Sequence, residues 1–160
     1  MSSAHQHLSQ VPENLPNAEP FRFGIVVSSW NQDVTHKLKT GALEALHKSG
    51  AKPENIRIVE VPGSYELTAG ASLLLRSAAP PDAIICLGAV IQGETRHFDF
   101  ICNAVANGLT QLTVVHGKPV IFGVLTTNTL DQALERAGGK YGNKGFEAGI
   151  TAATMAVLAG

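Results

Sequence analysis

Residues 87–100 read Leu-Gly-Ala-Val-Ile-Gln-Gly-Glu-Thr-Arg-His-Phe-Asp-Phe, and this pattern decides the fold class. A continuous apolar strand leads directly into a glycine-rich polar turn, and the turn leads directly into an amphipathic helix. Open α/β sheets place their chemistry at such turns. Main-chain N–H groups at a helix start can hold an anion, and a histidine such as His97 can transfer protons near neutral pH. The stretch therefore predicts a site that binds a phosphate and moves protons.

The rest of the chain repeats this alternation of strand and helix. Apolar strands are predicted at residues 21–29, 55–61, 82–91 and 119–125. Helices with apolar positions near the 3.6-residue period are predicted around residues 34–50, 64–79, 101–112, 130–137 and 146–158. A parallel crossover needs a helix, and such helices cover both faces of the sheet. We predict an α/β fold of three layers, α-β-α and flavodoxin-like, with a four-stranded parallel sheet in the order 2-1-3-4.

The chain is predicted to form a single domain with an N-terminal arm. Two halves of 160 residues would each bury too small a core. Residues 1–20 carry Pro12, Pro16 and Pro20 among polar residues and show no periodicity, which indicates an extended or poorly ordered arm. We therefore assign residues 1–20 to the arm and residues 21–160 to the α/β domain.

The composition argues against several partners and locations. A net charge of −1, 16% charged residues and no basic cluster offer no surface for a nucleic acid or an anionic membrane. Residues 1–19 lack the pattern of a secretory signal, and the apolar runs are too short to span a bilayer. Cys86 and Cys102 lack the spacing of a disulfide framework or a zinc site, so we expect buried thiols in a reducing compartment, the cytoplasm. The 44% hydrophobic content favours a homo-oligomer.

Several common nucleotide and hydrolase motifs are absent from the sequence. No Gly-x-Gly-x-x-Gly follows the first strand, and neither residues 117–119 nor residues 138–145 place Ser or Thr after the lysine of a phosphate loop. No Gly-x-Ser-x-Gly occurs either. We expect no dinucleotide chemistry, no nucleoside-triphosphate chemistry and no nucleophile elbow.

Parallel strands end at one edge of their sheet, so the turns that follow the four strands should converge. These turns carry Trp30, Asn31, Gly63, Ser64, Tyr65, Glu66, Gly93, Glu94, Thr95, Arg96, His97, Thr126, Thr127 and Asn128, with Phe122 just inside the fourth strand. Together they supply an aromatic ring for stacking, a carboxylate for hydroxyl groups, an anion site and a proton shuttle. The set suits a polyhydroxylated ring and a phosphorylated partner.

Each candidate residue also has a simpler interpretation. His97 could hydrogen-bond to backbone at a helix start, and Trp30 could be a rim residue that packs on the first helix. Glu66 and Arg136 could be favourable charges at helix ends, worth about 0.3–1 kcal/mol each. Phe122 could be an ordinary core residue. Their concentration at one sheet edge favours the functional interpretation.

Several segments resemble the 6,7-dimethyl-8-ribityllumazine synthase family. They are Trp-Asn at residues 30–31, Val-Pro-Gly-Ser-Tyr-Glu-Leu at 61–67, the stretch at 87–99, Phe-Gly-Val-Leu-Thr at 122–126, Glu-Arg-Ala-Gly-Gly-Lys at 135–140 and Gly-Asn-Lys-Gly at 142–145. The resemblance runs in order from about Phe21 to the C-terminus. It implies the penultimate step of riboflavin biosynthesis, in which 5-amino-6-(D-ribitylamino)uracil condenses with 3,4-dihydroxy-2-butanone 4-phosphate and releases phosphate and water. It also implies that the reaction uses no metal and no cofactor.

The resemblance assigns a role to each site residue. The residues implied for the pyrimidine and its ribityl chain are Trp30 by stacking, Ser64, Tyr65 and Glu66 along the ribityl chain, Ala89, Val90 and Ile91 by their backbone, and Phe122 from the neighbouring subunit. Glu94 and Thr95 would offer N–H groups to the phosphate, and Arg136 a bidentate contact. His97 would be the catalytic proton-transfer residue, with help from Lys144.

The resemblance further implies pentamers whose active sites lie between subunits, and in some members twelve pentamers in an icosahedral shell. The uninterrupted segment at 138–145 resembles shell-forming members, whereas Pro12 and Pro16 fall where shell members add a strand to a neighbour. We favour the shell, with riboflavin synthase as a possible partner. A flavin or lumazine carrier and a structural shell protein are the alternatives, but neither would need His97, Arg136 or the turn at 93–95.

Overall fold

A computed structural model describes residues 10–160, and its helices and strands follow the predicted alternation. The elements are β1 Phe23–Ser28, α1 Gln32–Lys48, β2 Ile56–Val61, α2 Leu67–Leu75, β3 Ala83–Ile91, α3 His97–His116, β4 Val120–Thr127, α4 Leu130–Glu135, β5 Ala137–Gly139, β6 Gly142–Asn143 and α5 Lys144–Ala159. Short 3₁₀ helices at Pro53–Asn55 and Ser64–Glu66 precede β2 and α2.

The four long strands form one parallel sheet in the order β2-β1-β3-β4, which confirms the predicted fold class and strand order. Phe23 of β1 lies between Ile56 of β2 and Ala83 of β3. The strand β3 continues four residues past its last pairing with β1, Val27 with Leu87, and stays paired with β4 as far as Ile91. The end of β3 therefore projects beyond β1 at the carboxyl edge.

Side chains alternate between the two faces of the sheet and build one core cluster on each face. The first cluster includes Phe23, Ile25, Val27, Ile85, Leu87 and Ala89, packed against residues of α1, α4 and α5. The second includes Val26, Ile84, Cys86 and Val124, packed against residues of α2 and α3. Because both faces are covered, β1 and β3 are apolar along almost their whole length.

Several boundaries differ from the sequence predictions. The helix predicted at 64–79 begins as a 3₁₀ turn and ends at Leu75, ahead of Pro80 and Pro81. Thr126 and Thr127 belong to β4, where they pair with the end of β3. The segment at 138–145 is more than a helix break, because most of it forms the small antiparallel hairpin β5–β6, with Gly138 and Gly142 at positive φ.

The buried face of α5 also differs from the predicted apolar stripe. Val157 and Leu158 are 45% and 76% exposed. The face that packs on α1 instead carries small residues, including Gly145 and Gly149. A Cβ on Gly149 would lie 2.6 Å from the Cβ of Ala45, and one on Gly145 would collide with the Leu38 carbonyl. Of the apolar residues that mark the predicted helix, Phe146 and Ala153 are buried, whereas Val157 and Leu158 are not. The pattern is wrong at these two residues because close backbone approach also decides which residues of α5 are buried.

The N-terminal arm is anchored to the domain where it meets β1. The predicted arm falls in part on residues 1–9, outside the described residues, and residues 10–20 contain neither helix nor strand. Ala18 is fully buried in the first core cluster, and its N–H donates to the Ser49 carbonyl at 2.7 Å. The boundary at residue 21 stays a prediction.

Candidate active site

A cleft of about 620 Å³ opens at the carboxyl edge of the sheet. It is lined by Trp30, Asn31, Gly63, Ser64, Tyr65, Glu66, Ala89, Val90, Ile91, His97 and Ile101. The cleft brings together eight of the site residues predicted from the sequence, drawn from the ends of β1, β2 and β3 and the start of α3. The convergence follows from the parallel sheet, since all three strands end at this edge.

The first wall of the cleft is the indole of Trp30. The main-chain N–H of Trp30 is shared between two acceptors, the Ser28 hydroxyl at 3.2 Å and the Pro62 carbonyl at 3.1 Å. The residue is nevertheless 71% exposed. A rim residue packed on α1 would be more covered, so the simpler interpretation of Trp30 does not account for its position. A large aromatic ring held open to solvent is available to stack on a planar ligand.

The second wall is the 3₁₀ turn between β2 and α2. Ser64 is 7% exposed and lies against Gly88 of β3, and its hydroxyl has no hydrogen-bond partner in the structure. Tyr65 is 58% exposed beside the cleft. The Glu66 carboxylate turns back toward Gly63, since a Cβ on that glycine would lie 3.0 Å from Glu66 Oε2. The wall thus carries an acidic side chain, whereas the Ser64 hydroxyl oxygen is buried against Gly88.

The floor is the end of β3, and the start of α3 closes the far side. Ala89, Val90 and Ile91 form the floor. His97 is the first residue of α3, and its N–H donates to Thr95 Oγ1 at 3.4 Å while its side chain faces the cleft lining. Ile101 lies one helical turn further on. Ile101 is not among the site residues predicted from the sequence, although the i, i+4 spacing from His97 places both on one side of the helix.

Two predicted phosphate ligands lie beside the cleft and not in its lining. Glu94 and Thr95 belong to the exposed turn between β3 and α3. A Cβ on Gly93 would meet nothing within 4 Å, so the main chain of this turn is open to a ligand. Arg96 is in the same turn and is 87% exposed, with a long contact of 3.9 Å to Asp99.

The remaining predicted residues form a separate group around α5. Phe122 is 36% exposed and lines a second depression of about 330 Å³ together with Lys144 and Glu147. Arg136 contacts both carboxylate oxygens of Glu147 at 3.0 and 3.2 Å and donates to the Tyr141 carbonyl at 2.7 Å. Lys144 Nζ lies 3.4 Å from the same carboxylate. We call Phe122, Arg136, Lys144 and Glu147 the α5 group; none of them lines the cleft of its own chain.

The two cysteines are free thiols with raised pKa values. Burial in β3 raises the pKa of Cys86. Partial burial, and then the negative charge of Asp99, raise the pKa of Cys102 in α3. The prediction of a buried thiol is confirmed for Cys86, whereas Cys102 is only half-buried. A raised pKa keeps both as neutral thiols near pH 7, which is the opposite of what a cysteine nucleophile needs.

Two features are absent from the described part of the chain, residues 10–160. No group of three or more His, Cys, Asp or Glu side chains there is placed to hold a metal ion. None of the helices in that part is long and apolar enough to cross a membrane.

A family model described as 6,7-dimethyl-8-ribityllumazine synthase matches residues 20–159. The chain belongs to the 6,7-dimethyl-8-ribityllumazine synthase family. Relatives that carry this name include proteins of Cytophaga hutchinsonii, 54% identical with 97% of each chain covered, and Parabacteroides distasonis, 49% identical with 97% of each covered. A third, from Phocaeicola vulgatus, is 48% identical over 97% of this chain and 92% of its own. The family makes this chain an enzyme of the lumazine synthase type, a transferase of riboflavin biosynthesis.

Proposed function

We propose that the enzyme condenses 5-amino-6-(D-ribitylamino)uracil with 3,4-dihydroxy-2-butanone 4-phosphate to give 6,7-dimethyl-8-ribityllumazine, phosphate and water. The observation that carries the proposal is the cleft itself. It places an exposed indole, a carboxylate and a histidine around one space of about 620 Å³ at the end of the sheet. These are the groups that a flat ring with a polyhydroxyl chain and a proton-transfer step require.

The pyrimidine is proposed to lie between the Trp30 indole and the floor formed by Ala89, Val90 and Ile91. Stacking on an exposed ring fixes the plane of the substrate, and main-chain groups of β3 fix its edge. Glu66 and its turn accept hydrogen bonds from the ribityl hydroxyls. Ser64 and Tyr65 line the same wall and are proposed to border the ribityl chain.

His97 is the proposed proton-transfer residue. The ring 5-amino group attacks the ketone carbon, and loss of water gives a Schiff base. A base then removes the proton from carbon 3 of the butanone unit, phosphate leaves from carbon 4, and the resulting enol takes up a proton at carbon 4 to become a ketone. The ribitylamine nitrogen attacks this ketone and closes the second ring with loss of a further water. Each step moves a proton to or from nitrogen, oxygen or carbon, which suits an imidazole at the cleft wall. The open turn at 93–95 would hold the phosphate through its N–H groups.

The cleft is proposed to be completed by a second copy of the chain. Trp30 and Tyr65 are 71% and 58% exposed in the single chain, and large exposed aromatic rings favour coverage by a partner. The α5 group offers Phe122 to the stacked ring and Arg136 with Lys144 to the phosphate. We propose a pentamer with one site at each interface, twelve such pentamers in a cytoplasmic shell, no cofactor, and riboflavin synthase as a possible partner.

The direct test of the reaction mixes both substrates with the purified enzyme and follows the lumazine chromophore. The proposal expects turnover that needs both substrates and releases phosphate in equal amount. A protein that binds added lumazine but never forms it would be a carrier. One that does neither would be a structural protein, and both results would overturn the proposal.

The shared site has its own test, which uses two impaired variants, each with a low residual rate. His97→Ala damages the cleft and leaves the α5 group intact, whereas Arg136→Ala does the reverse. If each site joins two chains, random co-assembly of equal amounts restores about a quarter of the interfaces. A mixture of His97→Ala with Trp30→Ala is the matched control, since both lesions lie in the cleft. Restoration in the control, or none in the test pair, would contradict the shared site.

A further inference from the structure

Asn31 holds an unusual backbone conformation between β1 and α1. Its φ of 60° and ψ of 51° lie in the left-handed region, and it is the one non-glycine residue with positive φ within residues 10–160. Such a conformation is unfavourable for a residue with a side chain and persists only where the surroundings impose it, often at functional sites. Asparagine tolerates this region better than most residues do.

The Asn31 side chain does not cap the helix α1, although asparagine at a helix start usually does. Asparagine at this position normally accepts a hydrogen bond from the second or third helical N–H through its side chain. Here the main-chain carbonyl of Asn31 accepts from Val34 and Thr35 at 2.9 and 3.0 Å, and the side chain makes no such cap. The amide is therefore available for another contact.

The Asn31 amide instead contacts the strand β3 at the cleft floor. Asn31 Nδ2 donates to the Ala89 carbonyl at 3.0 Å. The pairing of β1 with β3 ends at Val27 and Leu87, so no residue of β1 pairs with Ala89. The hydrogen bond from Asn31 therefore takes the place of a β1–β3 pairing at Ala89. It connects the last residues of β3 to the segment that carries Trp30.

We propose that Asn31 is a positioning residue that sets the slot between the Trp30 indole and the end of β3. Ala89 accepts this hydrogen bond, and Trp30 directly precedes Asn31 in the chain. Both residues line the cleft where the proposed function, on which this inference rests, puts the pyrimidine. Loss of the Asn31 bond lets the wall and the floor move independently. The effect falls on the pyrimidine substrate, because the phosphate is held by other groups.

Two variants separate the hydrogen bond from the backbone. Asn31→Gly keeps the left-handed conformation and removes the amide. Asn31→Asp keeps the shape but turns a donor into an acceptor that faces the Ala89 carbonyl. We expect KM for the pyrimidine to rise about 2–12-fold in Asn31→Gly, the ratio that a typical hydrogen bond corresponds to, and further in Asn31→Asp. KM for the phosphate substrate should stay within about twofold.

A second measurement needs no catalysis, since Trp30 is the only tryptophan in the sequence. Both variants should raise the rate at which acrylamide quenches Trp30 fluorescence in the assembled protein. Thr129→Gly is the matched control, because it removes a side-chain cap at the start of α4. It should change neither quenching nor the pyrimidine KM.

The outcomes distinguish this inference from the proposed function. Unchanged quenching in both folded Asn31 variants, or equal rises in KM for both substrates, would overturn the positioning role. If the parent enzyme forms no lumazine at all, the proposed function fails and quenching alone decides for or against Asn31. If Asn31→Asp does not assemble, Asn31→Gly carries the same two measurements.

Discussion

Gly88→Ala should damage the cleft by pushing one of its walls outward. An alanine Cβ at residue 88 would lie 2.5 Å from Ser64 Oγ and 2.9 Å from Leu67 Cδ1. Rotation of the Ser64 side chain relieves the first contact only, because Ser64 Cβ would still lie at 3.3 Å. Ordinary contact begins near 3.4 Å, so Leu67 Cδ1 and Ser64 Cβ must both give way, and the turn that carries Glu66 is expected to retreat by a few tenths of an ångström.

The expected cost of Gly88→Ala appears in both stability and activity. Overpacking of this kind costs about 1–3 kcal/mol of unfolding free energy. A displacement of about 1 Å at a substrate-positioning wall can lower the rate about 100-fold. A shift of a few tenths of an ångström scales to a smaller loss, so we expect kcat/KM for the pyrimidine to fall by about 2- to 10-fold. The assays are steady-state kinetics with each substrate varied in turn and urea unfolding at fixed protomer concentration.

The second substitution Ser64→Gly tests the cause of the Gly88→Ala defect. It removes the side chain that the new methyl group would meet, so the double variant should recover much of the lost stability. If Gly88→Ala leaves the unfolding midpoint and both KM values within error of the parent, the wall is softer than these distances require and the reasoning is refuted.

Three further predictions concern the packing of α5 on α1, the Ser64 hydroxyl and the Cys102 thiol. Gly149→Ala should lower the unfolding free energy measured in urea. Overpacking against α1 costs about 1–3 kcal/mol, which exceeds the gain of about 1 kcal/mol from the higher helix propensity of alanine. Gly93→Ala, with open space around the new methyl group, should show no such loss. Ser64→Ala should leave the unfolding midpoint unchanged or raise it, since it removes a buried hydroxyl that has no partner; a clear decrease would contradict this. Iodoacetamide should alkylate Cys102 slowly at pH 8.5 and faster in Asp99→Asn, because the Asp99 charge raises the pKa of the thiol and so lowers its thiolate fraction. Mass spectrometry of the labelled protein measures the two alkylation rates, and equal rates would exclude the Asp99 charge as a cause of the slow reaction.

The sheet and its order could be predicted because they depend on a pattern that the sequence displays directly. Continuous apolar strands such as the one ending at Ile91 occur where helices cover both faces, and right-handed crossovers leave few strand orders. The same logic placed Trp30, Glu66 and His97 at one edge. Their convergence in one cleft follows from strand direction alone, without knowledge of any side-chain contact.

The parts that could not be predicted depend on contacts between distant segments. Gly149 packs on α1 through its lack of a side chain, which a hydrophobicity pattern does not register. Asn31 stood in the converging set without a role, because its partner Ala89 is 58 residues away and lies past the end of β1. The pairing of Arg136 with Glu147 likewise depends on how the β5–β6 hairpin folds back onto α5.

The charges of the chain supply a physical reason why a second copy should complete the site. The residues that line the cleft include Glu66 and His97 but no lysine or arginine. The nearby Arg96 is 87% exposed, where solvent weakens its interactions.

In the α5 group, by contrast, Arg136 and Lys144 face the single carboxylate of Glu147, so one positive charge remains in excess. The guanidinium there is 18% exposed and already oriented, and an oriented cation attracts a phosphate with little further ordering cost. The lining of the cleft thus has no cation for the phosphate of the proposed substrate, whereas the α5 group has an excess cation. The cleft and the α5 group are separate on one chain. A repeating interface between identical chains would bring the cleft of one chain to the α5 group of the next.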